Sequence, residues 1–306
     1  MMRLIILGNG FDLAHKLPTN FSDFREFMKN HDESFVDKID EYIIDGTEWN
    51  EIETDLENFN SEKFREKNCT YLVDYTSDEW RDSANHDYQY QMDLNSEFIK
   101  DLQPNLRYWI SSIDVNITPI YNKELFEGDC KFLTFNYTRT LEVVYNISDN
   151  ILHIHGYEGK DEDELIVGHN NKDRLKPNYG AIPECEIDWR IREGDEKVFN
   201  KLESFYKNSA KIIENYKDFF ESLVDVSEIY VIGHSMSYID EIYFQHILKL
   251  VPAECVWNIT YHGDSAETKM EDYNKKLNSI SSIGIKNYNL IKSDDLLKKE
   301  VKLCRK

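Results

Sequence analysis

Four short polar clusters hold residue types able to grip a ligand or move a proton: Gly8-Asn9-Gly10-Phe11-Asp12, Thr134-Phe135-Asn136-Tyr137-Thr138, His153-Ile154-His155-Gly156 and Gly233-His234-Ser235-Met236-Ser237. In the first, two glycines around Asn9 let backbone N–H groups approach a phosphate, and a following helix would favour its charge. A plain tight turn fits equally, because Leu13 stands where G-x-G-x-x-G needs its third glycine. In the second, the uncharged amide of Asn136, flanked by Thr134, Tyr137 and Thr138, can hold a water or a sugar hydroxyl. It could also cap a helix beginning near Thr138.

His153 and His155 are two apart on an expected strand and so should point the same way, with Gly156 leaving room beside His155. Such a pair could supply a base near neutral pH, ligate a metal, or be ordinary buried imidazoles. A catalytic zinc needs a third ligand, and nothing fixes the distance to His169 or His262, so no metal is expected. The fourth cluster resembles the start of a serine-hydrolase elbow, G-x-S-x-G, but Ser237 occupies the last position. Asp240 or Asp264 and His246 or His262 follow, so chain order leaves a triad open. The preferred reading is that this Gly-His-Ser loop, with Asp240 opening the next helix, suits the ribose hydroxyls and adenine of a nucleotide.

These clusters work together only if the elements before them end on one rim. Arg3 to Leu7 reads as a short buried strand broken by Gly8-Asn9-Gly10 before a helical segment. Further strands are expected at Lys131 to Phe135, Ile151 to His155, Leu165 to Val167, Glu228 to Ile232, Val256 to Tyr261 and, more weakly, Tyr288 to Ile291. Amphipathic helical runs occupy Glu196 to Leu223 and Asp240 to Leu250. From Asp23 to Ile113 the apolar spacing is helical, through Phe24, Phe27 and Met28, then Trp49, Ile52, Leu56 and Phe59, then Met92 onward. The expectation is a single α/β domain over 1–306, Rossmann-like, with a mainly parallel sheet, helices on both faces and a helical insertion over about 20–128. Ligands then bind where loops leave the carboxyl ends of the strands.

Composition narrows the partners. With 36 basic and 58 acidic side chains in 306 residues, the formal charge of −22 opposes phosphate backbones and anionic lipid, so neither nucleic acid nor membrane is expected. A 13% aromatic share excludes a disordered acidic tail. The run Leu4 to Leu7 is too short for a signal segment, and no stretch approaches a membrane span. Cys69, Cys130, Cys185, Cys255 and Cys304 are odd in number and scattered, which reads as reduced thiols in a cytoplasmic protein and excludes a cysteine zinc ribbon.

Taken in order, Leu7-Gly8-Asn9-Gly10-Phe11-Asp12-Leu13-Ala14-His15, Leu133-Thr134-Phe135-Asn136-Tyr137-Thr138-Arg139-Thr140-Leu141-Glu142, Ile154-His155-Gly156, and Gly233-His234-Ser235 to Asp240-Glu241-Ile242-Tyr243-Phe244 resemble the AbiH family of bacteriophage abortive-infection proteins. More distantly they are similar to the SIR2-like fold of sirtuins and NAD-hydrolysing defence proteins. That resemblance implies a SIR2-like domain binding NAD as substrate or ligand. Gly8 and Gly10 correspond to the phosphate-approaching glycines, with Asn9 and Asp12 in the same loop. Asn136 corresponds to the Asn at the nicotinamide ribose, with Thr134 beside it, and His155 to the general base. Gly233, His234, Ser235 and Asp240 fall on the adenosine side. Asn136 and His155 stand 19 positions apart, about the spacing of the sirtuin pair. Asn9, Phe11 and Asp12 depart from the G-A-G-x-S run, and the missing zinc ribbon disfavours deacetylation.

The function so implied is anti-phage abortive infection by hydrolysis of the nicotinamide–ribose bond of NAD or a related nucleotide. The alternatives are a non-catalytic nucleotide-sensing or partner-binding module and, behind it, a serine hydrolase using Ser235. A phage-encoded trigger and a homo-oligomer suit a regulated activity. The Trp49 to Phe59 stretch, with Glu53, Asp55 and Glu57, could serve as a gate or as an ordinary helical layer.

Overall fold

The computed structural model describes residues 2–44, 48–159, 165–262, 285 and 287–297. It has two compact units: one of Met1–Asn20, Ile110–Leu165 and Asn208–Lys306, the other of Phe21–Trp109 and Ile166–Lys207.

The first unit is built on six parallel strands: β1 (Met2–Leu7), β2 (Cys130–Thr134), β3 (Ile151–His153), β4 (Val226–Ile232), β5 (Val256–Tyr261) and β6 (Tyr288–Lys292). They lie in the order β3-β2-β1-β4-β5-β6. This is the Rossmann-like α/β arrangement expected, with its topological switch between β1 and β4. Strands buried on both faces read as continuous apolar runs, and Leu4, Ile5 and Ile6 of central β1 are fully buried. One layer of the core joins Ile5, Leu7 and Ile232 to Phe11, Tyr121, Phe132 and Tyr145. Phe11 and Tyr121 stack at 5.3 Å there.

Three expectations are corrected. Leu165 to Val167 is not a strand: Leu165 and Val167 are buried without joining the sheet, since apolar burial does not require ladder pairing. β3 stops at His153, two residues short of His155. The single helical run Glu196 to Leu223 is broken into Trp189–Leu202, Ser209–Asn215 and Lys217–Glu221, with the Asn208 side chain accepting from Lys211 N to start a new helix.

The second unit is helical, from Phe21–His31 and Glu33–Tyr42 through Ile52–Asp55, Ser61–Asn68 and Ala84–Asn95, with Leu102–Ser111 closing its first segment and Trp189–Leu202 in the second. Its core sets Phe24 against Trp109 and Trp49 at 5.1 and 5.4 Å, and Trp49 Nε1 donates to Asp40 at 2.6 Å. Trp49 is therefore a fully buried anchor of this unit. The Nε–H of Arg65 is shared between the two oxygens of the buried Asp195, at 2.9 and 3.0 Å, tying the two chain segments together. Glu53 pairs with buried Lys207 at 3.3 Å, and Glu57 accepts from Asn171 at 3.4 Å.

Candidate active site

Register brings the clusters to one rim. Leu7 pairs with Thr134 on one side and Ile232 on the other, and Thr134 pairs with His153. His153, Thr134, Leu7 and Ile232 thus form one row across four adjacent strands, and every cluster leaves the sheet at that level. The exits are laced together: Phe135 N donates to Leu7 O at 2.9 Å, Ile154 N to Thr134 O at 3.1 Å and Gly8 N to Ile232 O at 3.0 Å.

The glycines serve the protein's own backbone. A Cβ on Gly8 would lie 2.6 Å from His234 Cα, and one on Gly10 2.7 Å from Gly233 Cα. Gly233 adopts φ +65°, and its Cβ would stand 2.3 Å from Phe11 N. Gly10 N donates to Gly233 O at 2.8 Å and Phe11 N to Gly8 O at 2.9 Å. The β1 and β4 exits therefore pack backbone on backbone. Asn9 donates through Nδ2 to Thr19 O at 2.9 Å, fastening the loop beyond its helix.

Beside this junction lies a buried acid. Asp12 Oδ2 accepts from Thr138 Oγ1 at 2.5 Å, and Thr138 meets Thr140 Oγ1 at 3.0 Å. Burial drives the Asp12 carboxyl up to about 6, against the lowering effect of hydrogen bonds from Thr138, Thr140 and Asn136. Asn136 is itself buried, and its backbone N donates to Thr134 Oγ1 at 3.1 Å. Its side-chain Oδ1 has no hydrogen-bond partner among the described residues. Asn136 does not cap the next helix, which runs Thr140–Tyr145 from Arg139 without a side-chain cap. Thr138, expected at that helix start, turns inward to Asp12 instead.

The two histidines at the end of β3 diverge, contrary to the expectation that they share a direction, because the strand ends at His153 and the chain turns. His153 Nε2 lies 3.0 Å from Glu142 Oε1 and its Nδ1 3.2 Å from Asn136 O. Both partners are acceptors. Burial pushes Glu142 up, but the hydrogen bond and charge of His153 outweigh it and hold the carboxyl below its usual range. This pair lines an open cleft of about 480 Å³ with Arg139, Asn146 and Tyr157.

His155 turns instead toward Asp240, with Nε2 3.9 Å from Oδ1, while His234 Nε2 stands 3.5 Å from Oδ2 of the same carboxylate. All three are buried. Phe135 lies between the imidazoles, its ring 5.3 Å from His155 and 4.2 Å from His234, and Tyr243 and Phe244 close the box at 5.8 Å from His155 and 5.0 Å from His234. Asp240 precedes the helix Glu241–Leu250 without bonding its backbone through the side chain. This two-imidazole carboxylate escaped sequence reasoning, which placed Asp240 on ribose.

Ser235 is exposed, and positive φ falls on Gly233 and Met236 rather than on the serine. The helix begins only at Glu241, so the strand–serine–helix elbow is not formed. Asp264 and Cys304, named above, lie outside the described residues. His169 belongs to the helical unit, where it bridges to Tyr206, and His262 is exposed. Among the described residues, no group of three His, Cys, Asp or Glu side chains could hold a metal, and no helix is long and apolar enough to cross a membrane.

A buried acid raised to about 6, a buried amide and an imidazole beside a buried carboxylate thus gather at one rim. No curated protein and no solved structure matches the chain. Residues 4–261 match the family described as bacteriophage abortive infection AbiH. That match takes in all four clusters, and the chain belongs to the AbiH family.

Proposed function

We propose that this abortive-infection protein acts in the cytoplasm by hydrolysing the nicotinamide–ribose bond of NAD or a related nucleotide. The observation that carries the reading is that Asn136 and His155 both leave the same rim of the sheet. Each stands two residues past a strand-end residue, Thr134 and His153, which pair across adjacent strands, and the Phe135 ring lies against His155. In this mechanism the Asn136 amide orients a water or the ribose hydroxyls. The C1′–N bond breaks with its electron pair going to nicotinamide, which leaves neutral, and the water oxygen bonds C1′. The proton released passes to the His155 imidazole or to solvent through it. The balance closes as nucleotide plus water giving nicotinamide, an ADP-ribose-type product and a proton, with no redox step.

The glycine-rich turn supports a phosphate less directly than its sequence suggests, since its Gly10 and Phe11 amides already bond backbone carbonyls. Ribose and base contacts would come from the Gly233-His234-Ser235 side of the rim. Depletion of a shared cofactor must be held back before infection, which calls for a phage-encoded trigger and suits a homo-oligomer.

Chromatography of purified protein incubated with NAD tests the reading. Nicotinamide should appear with a matching ADP-ribose product, and Asn136→Ala and His155→Ala should each slow release by about 10²–10⁴-fold. Release that survives both substitutions overturns the assignment. Nucleotide binding without release makes the protein a sensor, and labelling of Ser235 by a fluorophosphonate makes it a serine hydrolase.

A further inference from the structure

We propose that Asp12 is a positioning residue that turns the Asn136 amide so that its carbonyl end, and not its NH₂ end, meets the ribose or the attacking water. The proposal rests on the reading of Asn136 as the group that holds them, but its physical core is testable without substrate. Asn136 stands two residues past β2, with its backbone N fixed to Thr134 Oγ1 at 3.1 Å. Asp12 comes from the short helix Asn9–Ala14 after β1 and is fixed in turn. Its Oδ2 accepts from Thr138 Oγ1 at 2.5 Å, and Thr138 meets Thr140 Oγ1 at 3.0 Å. The Asn136 amide adds the weakest of the three hydrogen-bond contacts that hold the Asp12 carboxyl down. That contact falls short of a well-made bond, since Asp12 Oδ1 has no partner among the described residues.

An ionised carboxylate can only accept, so the end of the amide that serves it must be the NH₂. Asn136 Oδ1 is then left for another donor, and it is buried with no hydrogen-bond partner among the described residues. The choice of end matters for hydrolysis. A water that donates to Oδ1 keeps its lone pairs for C1′, whereas one that accepts from the amide N–H has a lone pair occupied. A neutral Asp12 removes the distinction, because its O–H can donate to Oδ1 as readily as its carbonyl accepts from Nδ2. Burial raises the carboxyl to about 6, so Asp12 is ionised above that pH and there fixes the productive end outward. At 1% and 7% exposure, Asp12 and Asn136 meet with little competition from bulk water. Of the titratable groups around Asp12, His153 at the end of β3 lowers it electrostatically, and Glu142 stands 3.0 Å behind that ring. His15, one turn further along the chain, bonds Phe11 O and the Tyr145 hydroxyl instead.

The test follows the Asn136 side-chain NH₂ by nitrogen-15 NMR on the whole protein, with the signal assigned from its loss in Asn136→Ala. In the parent protein its shifts should step with a midpoint near pH 6, and the step should vanish in Asp12→Asn. Thr138→Val keeps both partners but removes a donor to the carboxylate, and should raise the midpoint by about one pH unit. It gives the deciding reading if the Asn variant does not fold. His153→Gln should leave a step in place, which separates Asp12 from that ring as its source. Where nicotinamide release is observed, Asp12→Asn should lower kcat by about 100-fold in the parent and add nothing in the Asn136→Ala background. A flat Asn136 signal, a step that survives Asp12→Asn, a midpoint unmoved by Thr138→Val, or losses that multiply in the double variant overturn the proposal. If NAD is not cleaved, the proposed function falls while the amide titration still decides whether Asp12 sets the amide.

Discussion

At the scale of single residues, Asp12 shows how burial and hydrogen bonding compete. The acid is 1% exposed, and three polar neighbours do not bring it back to its ordinary value of 3.8. Its folded value of about 6 exceeds the unfolded one, so between these limits the native state binds more protons and stability falls as pH rises. The penalty is absent below about pH 3.8 and complete above about pH 6. A gap of about two units corresponds to about 3 kcal/mol. Asp12→Asn keeps the shape and an acceptor for Thr138 but removes the titration. The difference in urea-unfolding free energy between Asp12→Asn and the parent should therefore favour the variant by about 3 kcal/mol more at pH 7.5 than at pH 3.5. A difference that is flat in pH would mean that Asp12 does not carry the strain of its burial. His15 supplies the contrast. Burial lowers its ring, and it meets Phe11 O and the Tyr145 hydroxyl at 2.8 Å each, which makes it a packing residue despite standing three positions after Asp12.

At the scale of elements, the junction of the β1 and β4 exits is the part least tolerant of change. A side chain on Gly233 would meet the Phe11 amide at 2.3 Å while also holding a left-handed φ of +65°. Gly180 has the same conformation at φ +64° but nothing within 4 Å of a Cβ. Gly180→Ala should therefore cost only the backbone term of about 1 kcal/mol. Gly233→Ala should cost at least about 3 kcal/mol, since steric overlap with backbone is added to the strain. Chemical denaturation of the two variants separates the terms, and equal losses would show that the junction yields. The central strands were legible because full burial writes itself as unbroken apolar runs such as Leu4 to Leu7, and the four clusters because each follows such a run. The diverging histidines were not, because whether a strand continues two residues past its last ladder bond depends on partners that the local sequence does not name. Leu165 to Val167 failed for the same reason: three apolar residues satisfy a strand pattern and a packed loop alike. Asp240 was read for its place before a helix, while the structure sets its carboxylate between His155 and His234, which follow β3 and β4.

For the whole molecule, charge is the dominant feature. The excess of 22 negative charges acts against the folded state through mutual repulsion that salt screens. Screening also weakens ion pairs, but the exposed ones, such as Lys100–Glu97 and Lys217–Glu221, contribute about 0–1 kcal/mol each. The buried pair of Arg65 and Asp195 is less accessible to salt, with the acid only 1% exposed. Repulsion should therefore win. Raising NaCl from about 0.1 to 1 M shortens the screening length from about 10 to about 3 Å. At pH 7.5 this should stabilise the protein by about 1 kcal/mol, a rise in Tm of about 2–4 °C. Near pH 4.8, where the sequence carries no net charge, the same addition should change Tm little, because the repulsion is gone. Calorimetry at both pH values separates screening from the general effect of salt on apolar burial, which persists at either pH. A salt gain of equal size at pH 7.5 and 4.8 would assign the stabilisation to burial and leave the acidic surface without a role in stability.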